Sequence, residues 1–330
     1  MRRRILATWA FAPLLLLAGL AAGIGCASKP RSAPVAARKA LQPKPRPLCS
    51  IETAFAANQP LRDRTFMPQN WFVLMLHAYR STGEIPRPLN DCTGTTVMMA
   101  PDGCSDRQHL RFTPTQLGPD DLVVTALSET ERLVWVITER LSDGQAQGPV
   151  AVAEIEPRGI SVRSIGTLRI YPGNVTLRLE RLSGATVLVA DGQHCDDSGK
   201  SENCDRAIRI VPLVGDRFIS TPIIDGHNSC VGSSLLPVRT KSRSTTRGGT
   251  KYELEAAVTL TPNAVLVREQ LALIRLPPGH APKDAVAESF VTRQQLERQI
   301  VLRNGHLVAE GPSLLSRWFA QREATAISDQ

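Results

Sequence analysis

The sequence predicts a mainly β fold: antiparallel strands and hairpins, disulfide-stapled, with little helix. Three observations predict it. Apolar and polar residues alternate with period two from about residue 120 onward, turn dipeptides fall between the alternating runs, and the chain carries seven cysteines. Many short antiparallel strands suit a sandwich, a barrel or a propeller-like arrangement, and 150–220 reads like successive propeller strands. The globular part is expected to span 48–330, as one large domain or two smaller ones.

In chain order, NWFVLMLHAY (70–79) suits either a strand or a short helix. Strand-like runs follow at LVVTA (122–126), LVWVIT (133–138) and VAVAEI (150–155). In VTLRLERL, Val175, Leu177 and Leu179 fall on one side, and Thr176, Arg178 and Glu180 on the other, as a half-buried strand requires. TVLVA (186–190) and AIRIV (207–211) continue the pattern. Tyr252, Leu254, Ala256, Val258 and Leu260 alternate with Glu253, Glu255, Ala257 and Thr259, and AVLVR (264–268) and LALIR (271–275) come next. Turns are expected at Pro172-Gly173, Ser183-Gly184, Gly215-Asp216 and Pro262-Asn263. Asn304-Gly305 lies inside QIVLRNGHLVA and tolerates positive φ at both turn positions, a strong hairpin signal. Ser313 is placed to cap a last helical segment, LLSRWFAQ, whose Leu314, Leu315, Trp318 and Phe319 would dock on the sheet.

Residues 1–25 have the anatomy of a secretory signal. Arg2, Arg3 and Arg4 precede an uncharged run from Ile5 to Gly25 that contains Leu14-Leu15-Leu16-Leu17 and ends in Ala21-Ala22-Gly23-Ile24-Gly25. A thiol, Cys26, follows at once. In these residues, and only these, the chain resembles bacterial lipoprotein precursors. The resemblance implies lipidation of Cys26, cleavage before it and, with Ala27 rather than Asp next, the outer membrane. Two further readings stay open: ordinary cleavage that frees a soluble protein, and retention of the uncharged run as a membrane-spanning helix.

The next stretch, 26–47, holds five prolines, five alanines, six basic residues and no acid. It has no apolar face to bury and is expected to serve as a linker rather than fold. At about 3.1 Å per residue it would reach roughly 65 Å.

The cysteines are Cys26, Cys49, Cys92, Cys104, Cys195, Cys204 and Cys230. An odd count in an exported chain leaves one thiol over, and lipidation of Cys26 accounts for it. Short, turn-rich intervals favour Cys92 with Cys104 and Cys195 with Cys204, which leaves Cys49 for Cys230. Disulfides are favoured over zinc because no C-x-x-C pair occurs.

Without residues 1–25 the chain keeps 36 of its 39 basic residues against 31 acidic ones, a formal charge of +5 that sits largely in the linker. Bulk charge therefore gives nucleic-acid binding no support. The basic run RTKSRSTTRGGTK (239–251) reads as an exposed loop, with contact to an anionic polymer as the sharper alternative.

No motif assigns a catalytic, cofactor-binding or metal-binding residue. DDSGKS (196–201) ends like a phosphate-binding loop, but His194 stands where the first glycine is needed. Asp191, Asp196, Asp197, Glu202 and Asp205 lack the order of a calcium loop. His77, His109, His194, His227, His280 and His306 show no zinc-binding helical spacing. Asp225-Gly226-His227-Asn228-Ser229-Cys230 sets acid, base and hydroxyl close in sequence but carries no nucleophile elbow. Trp71, Trp135 and Trp318 read as core. The expectation is an exported envelope lipoprotein with a binding or structural role, its partners the membrane through its anchor and an envelope protein or polysaccharide, with no nucleotide. The alternative is an envelope hydrolase acting on carbohydrate or peptide through scattered Asp, Glu or His residues.

Overall fold

Alternation settles which side is buried in the strands that keep one wet face, and the two sets of faces are used differently along the chain. A computed structural model describes residues 46–53, 60, 64–80, 84–98, 103–104, 110–195, 204–241, 249–276 and 290–328. Within them run β1 (Cys49–Glu52), α1 (Pro68–Met75), β2 (Arg111–Phe112), β3 (Leu122–Ala126), β4 (Glu131–Val136), β5 (Glu139–Leu141), β6 (Ala146–Glu156) and β7 (Gly159–Ile170). There follow β8 (Gly173–Leu182), β9 (Ala185–Cys195), β10 (Cys204–Val214), β11 (Arg217–Phe218), β12 (Ile223–Ile224), β13 (Cys230–Gly232) and β14 (Leu235–Lys241). The chain continues through β15 (Gly249–Leu260), β16 (Val265–Leu276), β17 (Phe290–Arg303), β18 (His306–Ala309) and α2 (Leu314–Ser328).

The fold is mainly β, and its described ladders are antiparallel except β7–β11 and β12–β18. A first layer runs β3–β4–β6–β7. β5 prolongs the β4 edge of β6 and carries β2, while β1 pairs along β7. A second layer runs β8–β9–β10–β14–β15–β16–β17–β18. β11 pairs with both β10 and β7, so the strands form one hydrogen-bonded network that is not closed. β6 to β10 do not follow one another as propeller strands. β6 and β7 belong to the first layer and β8 to β10 to the second, and Trp135, Val150 and Leu168 share a core with Leu177, Leu188 and Val211.

The opposite face of the first layer packs against α1, through Trp71, Phe72, Val134, Ile160 and Val162. The helix starts where Pro68 needs no hydrogen-bond partner for its nitrogen, and the Met67 N–H donates to Asn70 Oδ1 at 3.0 Å. It ends when Leu76 turns extended. Segment 70–79 is thus helix for its first part only.

The other face of the second layer buries Val187, Val189, Ile208, Ile210, Leu236, Val265, Val267 and Ile300. Farther along the same strands α2 covers Leu254 and Leu271 with Leu314 and Trp318, and Leu315 and Phe319 pack beside them. The expected cap is present, since the Ser316 N–H donates to Ser313 Oγ at 3.1 Å. Between these two apolar clusters Glu269 pairs with Arg298 at 2.9 Å, their side chains 2% and 8% exposed. Glu269 Oε2 also accepts the Leu314 N–H at 2.7 Å, which places a carboxylate on the positive end of α2.

Four of the five expected dipeptides turn hairpins, Ser183-Gly184, Gly215-Asp216, Pro262-Asn263 and Asn304-Gly305. Pro172-Gly173 instead leads from β7 in one layer to β8 in the other, and Gly173 already opens β8. Ser183-Gly184 and Asn304-Gly305 have positive φ at both positions, and the runs at 264–268 and 271–275 merge into β16. The basic run at 239–251 is partly strand: Arg239 to Lys241 close β14 and Gly249 opens β15, while 242–248 lies outside the described residues.

Three disulfides are formed. Cys195–Cys204 closes β9 on β10 as spacing suggests, but Cys49 pairs with Cys92 and Cys104 with Cys230, in place of Cys92–Cys104 and Cys49–Cys230. The residues after Cys92 turn back on their own account. Asp91 N–H donates to the Thr95 carbonyl at 2.8 Å, and Asn90 bridges to Thr96. That turn leaves Cys92 beside Cys49 at the first core, whereas Gly103 packs against Ser233, next to β13. These bonds fit an oxidising environment. Among the described residues no helix is long and apolar enough to cross a membrane.

Candidate functional site

On the face of the second layer turned away from the first, the rows change from apolar to polar as they approach the β9–β10 hairpin. Val187 and Val189 are followed on the same face by Asp191 and Gln193, and Ile210 and Ile208 are followed by Arg206. A groove of about 500 Å³ opens there. Its lining comes from β8, β9, β10, β14 and β15 and includes Asn174, Thr176, Asp191, Gln193, Arg206 and Glu255.

Two ladder irregularities shape this groove. On one flank the register of β8 slips between Gly173 and Thr176, and Asn174 takes φ +47°. On the other, β10 slips against β14 between Arg206 and Ala207, so that Arg206 stands opposite Arg239 while Ala207 stands opposite Pro237. An extra residue in a strand bends it and re-aims its side chains, which is how an interior ladder comes to present polar groups at one spot. Between the bulges Gly192 is buried, and a Cβ there would lie 2.1 Å from the Tyr171 carbonyl oxygen.

The charged groups are largely matched. Arg206 grips Asp191 bidentately, Nε to Oδ1 at 2.9 Å and Nη2 to Oδ2 at 2.6 Å, and these hydrogen bonds push its pKa up. Arg206 remains 48% exposed, so the pair presents a face to the groove. Arg239 donates to the Cys204 carbonyl at 3.1 Å and is the ladder partner of Glu255. By contrast, the side chains of Asn174, Thr176 and Gln193 make no hydrogen bond to another described residue. Behind the groove, His194 stacks on Tyr171, their centroids 6.0 Å apart, and packs against Gly144. Arg169 is bound nearby to Gln145 and Asp143.

The sequence-level candidates resolve differently. Cys26, DDSGKS (196–201), Glu202, His109 and His280 lie outside the described residues. Asp225 is the acceptor of a tight turn: its Oδ1 takes the N–H groups of His227 at 2.8 Å and Ser229 at 2.9 Å, and Cys230 is bonded to Cys104. The acid is therefore occupied by its own loop and the thiol is oxidised. Trp71, Trp135 and Trp318 are buried in three different clusters. Among the described residues no three of His, Cys, Asp and Glu converge as a metal site. Sequence reasoning noted Asp191 only as part of an acidic loop and missed Arg206, Asn174 and Gln193. The one local trace of the groove is Gly192, just beyond the strand-like run 186–190 and inside β9, a mark of close backbone approach.

No family model matches the chain, no curated protein resembles it in sequence, and no solved structure matches it.

Proposed function

We propose that this chain is an exported cell-envelope lipoprotein, tethered at Cys26 to the outer membrane, whose β domain has a non-enzymatic role in binding an envelope partner. The N-terminal signal, the basic Pro/Ala linker and the three disulfides support the location. The observation that carries the binding role is the bidentate Arg206–Asp191 pair. A carboxylate that exchanges protons in catalysis must be able to release its partner, and both oxygens of Asp191 are engaged. The runner-up, an envelope hydrolase, draws on Glu255, a second carboxylate lining the same groove.

The test of the tether is the intact mass of membrane-extracted protein before and after reduction. Expected is a chain that starts at Cys26 with diacylglyceryl attached and gains two hydrogens for each of the three disulfides. An unlipidated chain starting at Ser28 would overturn the anchor. Turnover of polysaccharide or peptide that disappears in Glu255→Gln would replace the binding role with the hydrolase.

A further inference from the structure

We infer that the groove between β8 and β15 holds a short stretch of a neutral polysaccharide, a reading that rests on the binding role proposed above. Charge is the first argument. Four ionised side chains line the groove, Arg206 and Arg239 against Asp191 and Glu255, so their formal charges cancel. A site for an anionic polymer or nucleic acid needs an excess of cations, and a site for a basic peptide needs an excess of acids.

The polar groups left open are also of one kind. Asn174 and Gln193 carry carboxamides and Thr176 a hydroxyl, each able to donate and to accept, and none is committed to a described neighbour. Sugar hydroxyls also do both, and a carboxamide can serve two adjacent hydroxyls at once. The Arg206–Asp191 pair adds guanidinium donors and carboxylate lone pairs held at fixed positions. Val238 and Ala256 supply a small apolar floor suited to the C–H face of a sugar ring. The volume, about 500 Å³, is that of a small-ligand site rather than a protein interface.

Geometry weighs against an extended peptide. Such a partner adds to a free sheet edge through its backbone. Among the described ladders only β8 of the five lining strands has a free edge; β9, β10, β14 and β15, which carry Asp191, Gln193, Arg206 and Glu255, are each paired on both sides, so there side chains do the presenting. A backbone fixed by two bulges also orients them before a ligand arrives, which lowers the entropy lost on binding.

The experiment uses the mature full-length protein and calorimetric titration with neutral hexasaccharides (an α-glucan, a β-glucan, a mannan and a chito-oligosaccharide). Oligogalacturonate is the acidic comparison and an extended peptide library the third arm. The expected result is binding of at least one neutral probe, with an affinity that changes less than about twofold when salt is raised from about 0.05 M to about 0.5 M. Gln193→Ala and Asn174→Gly should each weaken it by roughly tenfold, the loss of about one good hydrogen bond. Asn174→Gly retains the backbone, because glycine accepts the φ of +47° without strain.

No binding of any neutral probe, binding of the acidic probe alone with a steep salt dependence, capture of the peptide alone, or neutral binding untouched by both variants would each overturn the inference. Shortening of a bound hexasaccharide would support the site and overturn the non-enzymatic role. A protein correctly lipidated at Cys26 that binds no sugar would defeat the groove inference and leave the tether standing.

Discussion

At Gly192, β9 passes so close to the chain entering β8 that a methyl group would collide with backbone rather than with a side chain that can swing away. Gly192→Ala is therefore expected to cost about 1–3 kcal/mol, as overpacking does, and to flatten the bulge that exposes Asn174. Urea unfolding measures the first effect and loss of ligand binding the second; an unchanged midpoint would contradict the close approach. Asp225 gives a pH-dependent expectation. The Ser229 and then the His227 N–H groups stabilise its ionised form and lower its pKa. A depressed folded-state pKa adds stability that is complete above the ordinary aspartate value, about 3.9, and disappears as pH falls through the lowered pKa. Asp225→Ala should thus have a lower unfolding midpoint than the parent at neutral pH, and the difference should close in acid. A gap that persists at the lowest pH would mean that the carboxylate is not its source.

Among the elements, α2 depends on a residue far from it in sequence. Glu269 serves both Arg298 and the first N–H of the helix, and it sits between two apolar clusters. Glu269→Ala leaves Arg298 buried without its carboxylate, which is expected to cost about 3–5 kcal/mol and to loosen the helix. Replacing both by leucine should cost much less, because no charge is then stranded. Urea melts of the single and double variants, with limited proteolysis at α2, decide the point; equal losses in the two variants would refute it. The strands around this pair were largely legible in the sequence, because Tyr252 to Leu260 and Val175 to Leu179 alternate cleanly and Asn304-Gly305 fixes its hairpin. Glu269 itself was not legible, since a buried carboxylate breaks the same pattern that an exposed one obeys. β7 escaped for a related reason: it is buried on both faces, between α1 and β8–β10, so its residues do not alternate. The groove was unreadable because it draws one to three residues from each of five strands and depends on two slips in register, which no local spacing records.

At the scale of the whole molecule the disulfides rank by the loops they close. Separations of 126, 43 and 9 residues correspond to about 5, about 4 and about 2.5 kcal/mol in the chain-entropy model. Serine replacement of Cys104 and Cys230 should accordingly destabilise most, and that of Cys195 and Cys204 least; the reverse order in chemical denaturation would show that local strain outweighs chain entropy. Spacing alone missed two of the three bonds because Cys92 and Cys104, close in sequence, pack against different parts of the fold. The pairing pattern also bears on how the molecule is made. A chain that crosses a membrane N-terminus first presents its thiols one after another. With Cys26 withdrawn by the lipidation proposed above, Cys49 meets Cys92 correctly, but Cys104 arrives next and its native partner comes last, after Cys195 and Cys204 have both emerged. An oxidase that joins thiols in order of appearance would link Cys104 to Cys195 and strand the remaining pair. Correct assembly therefore calls for a disulfide isomerase as well as an oxidase, and a strain lacking the isomerase should accumulate scrambled protein that serine replacement of Cys104 and Cys230 relieves.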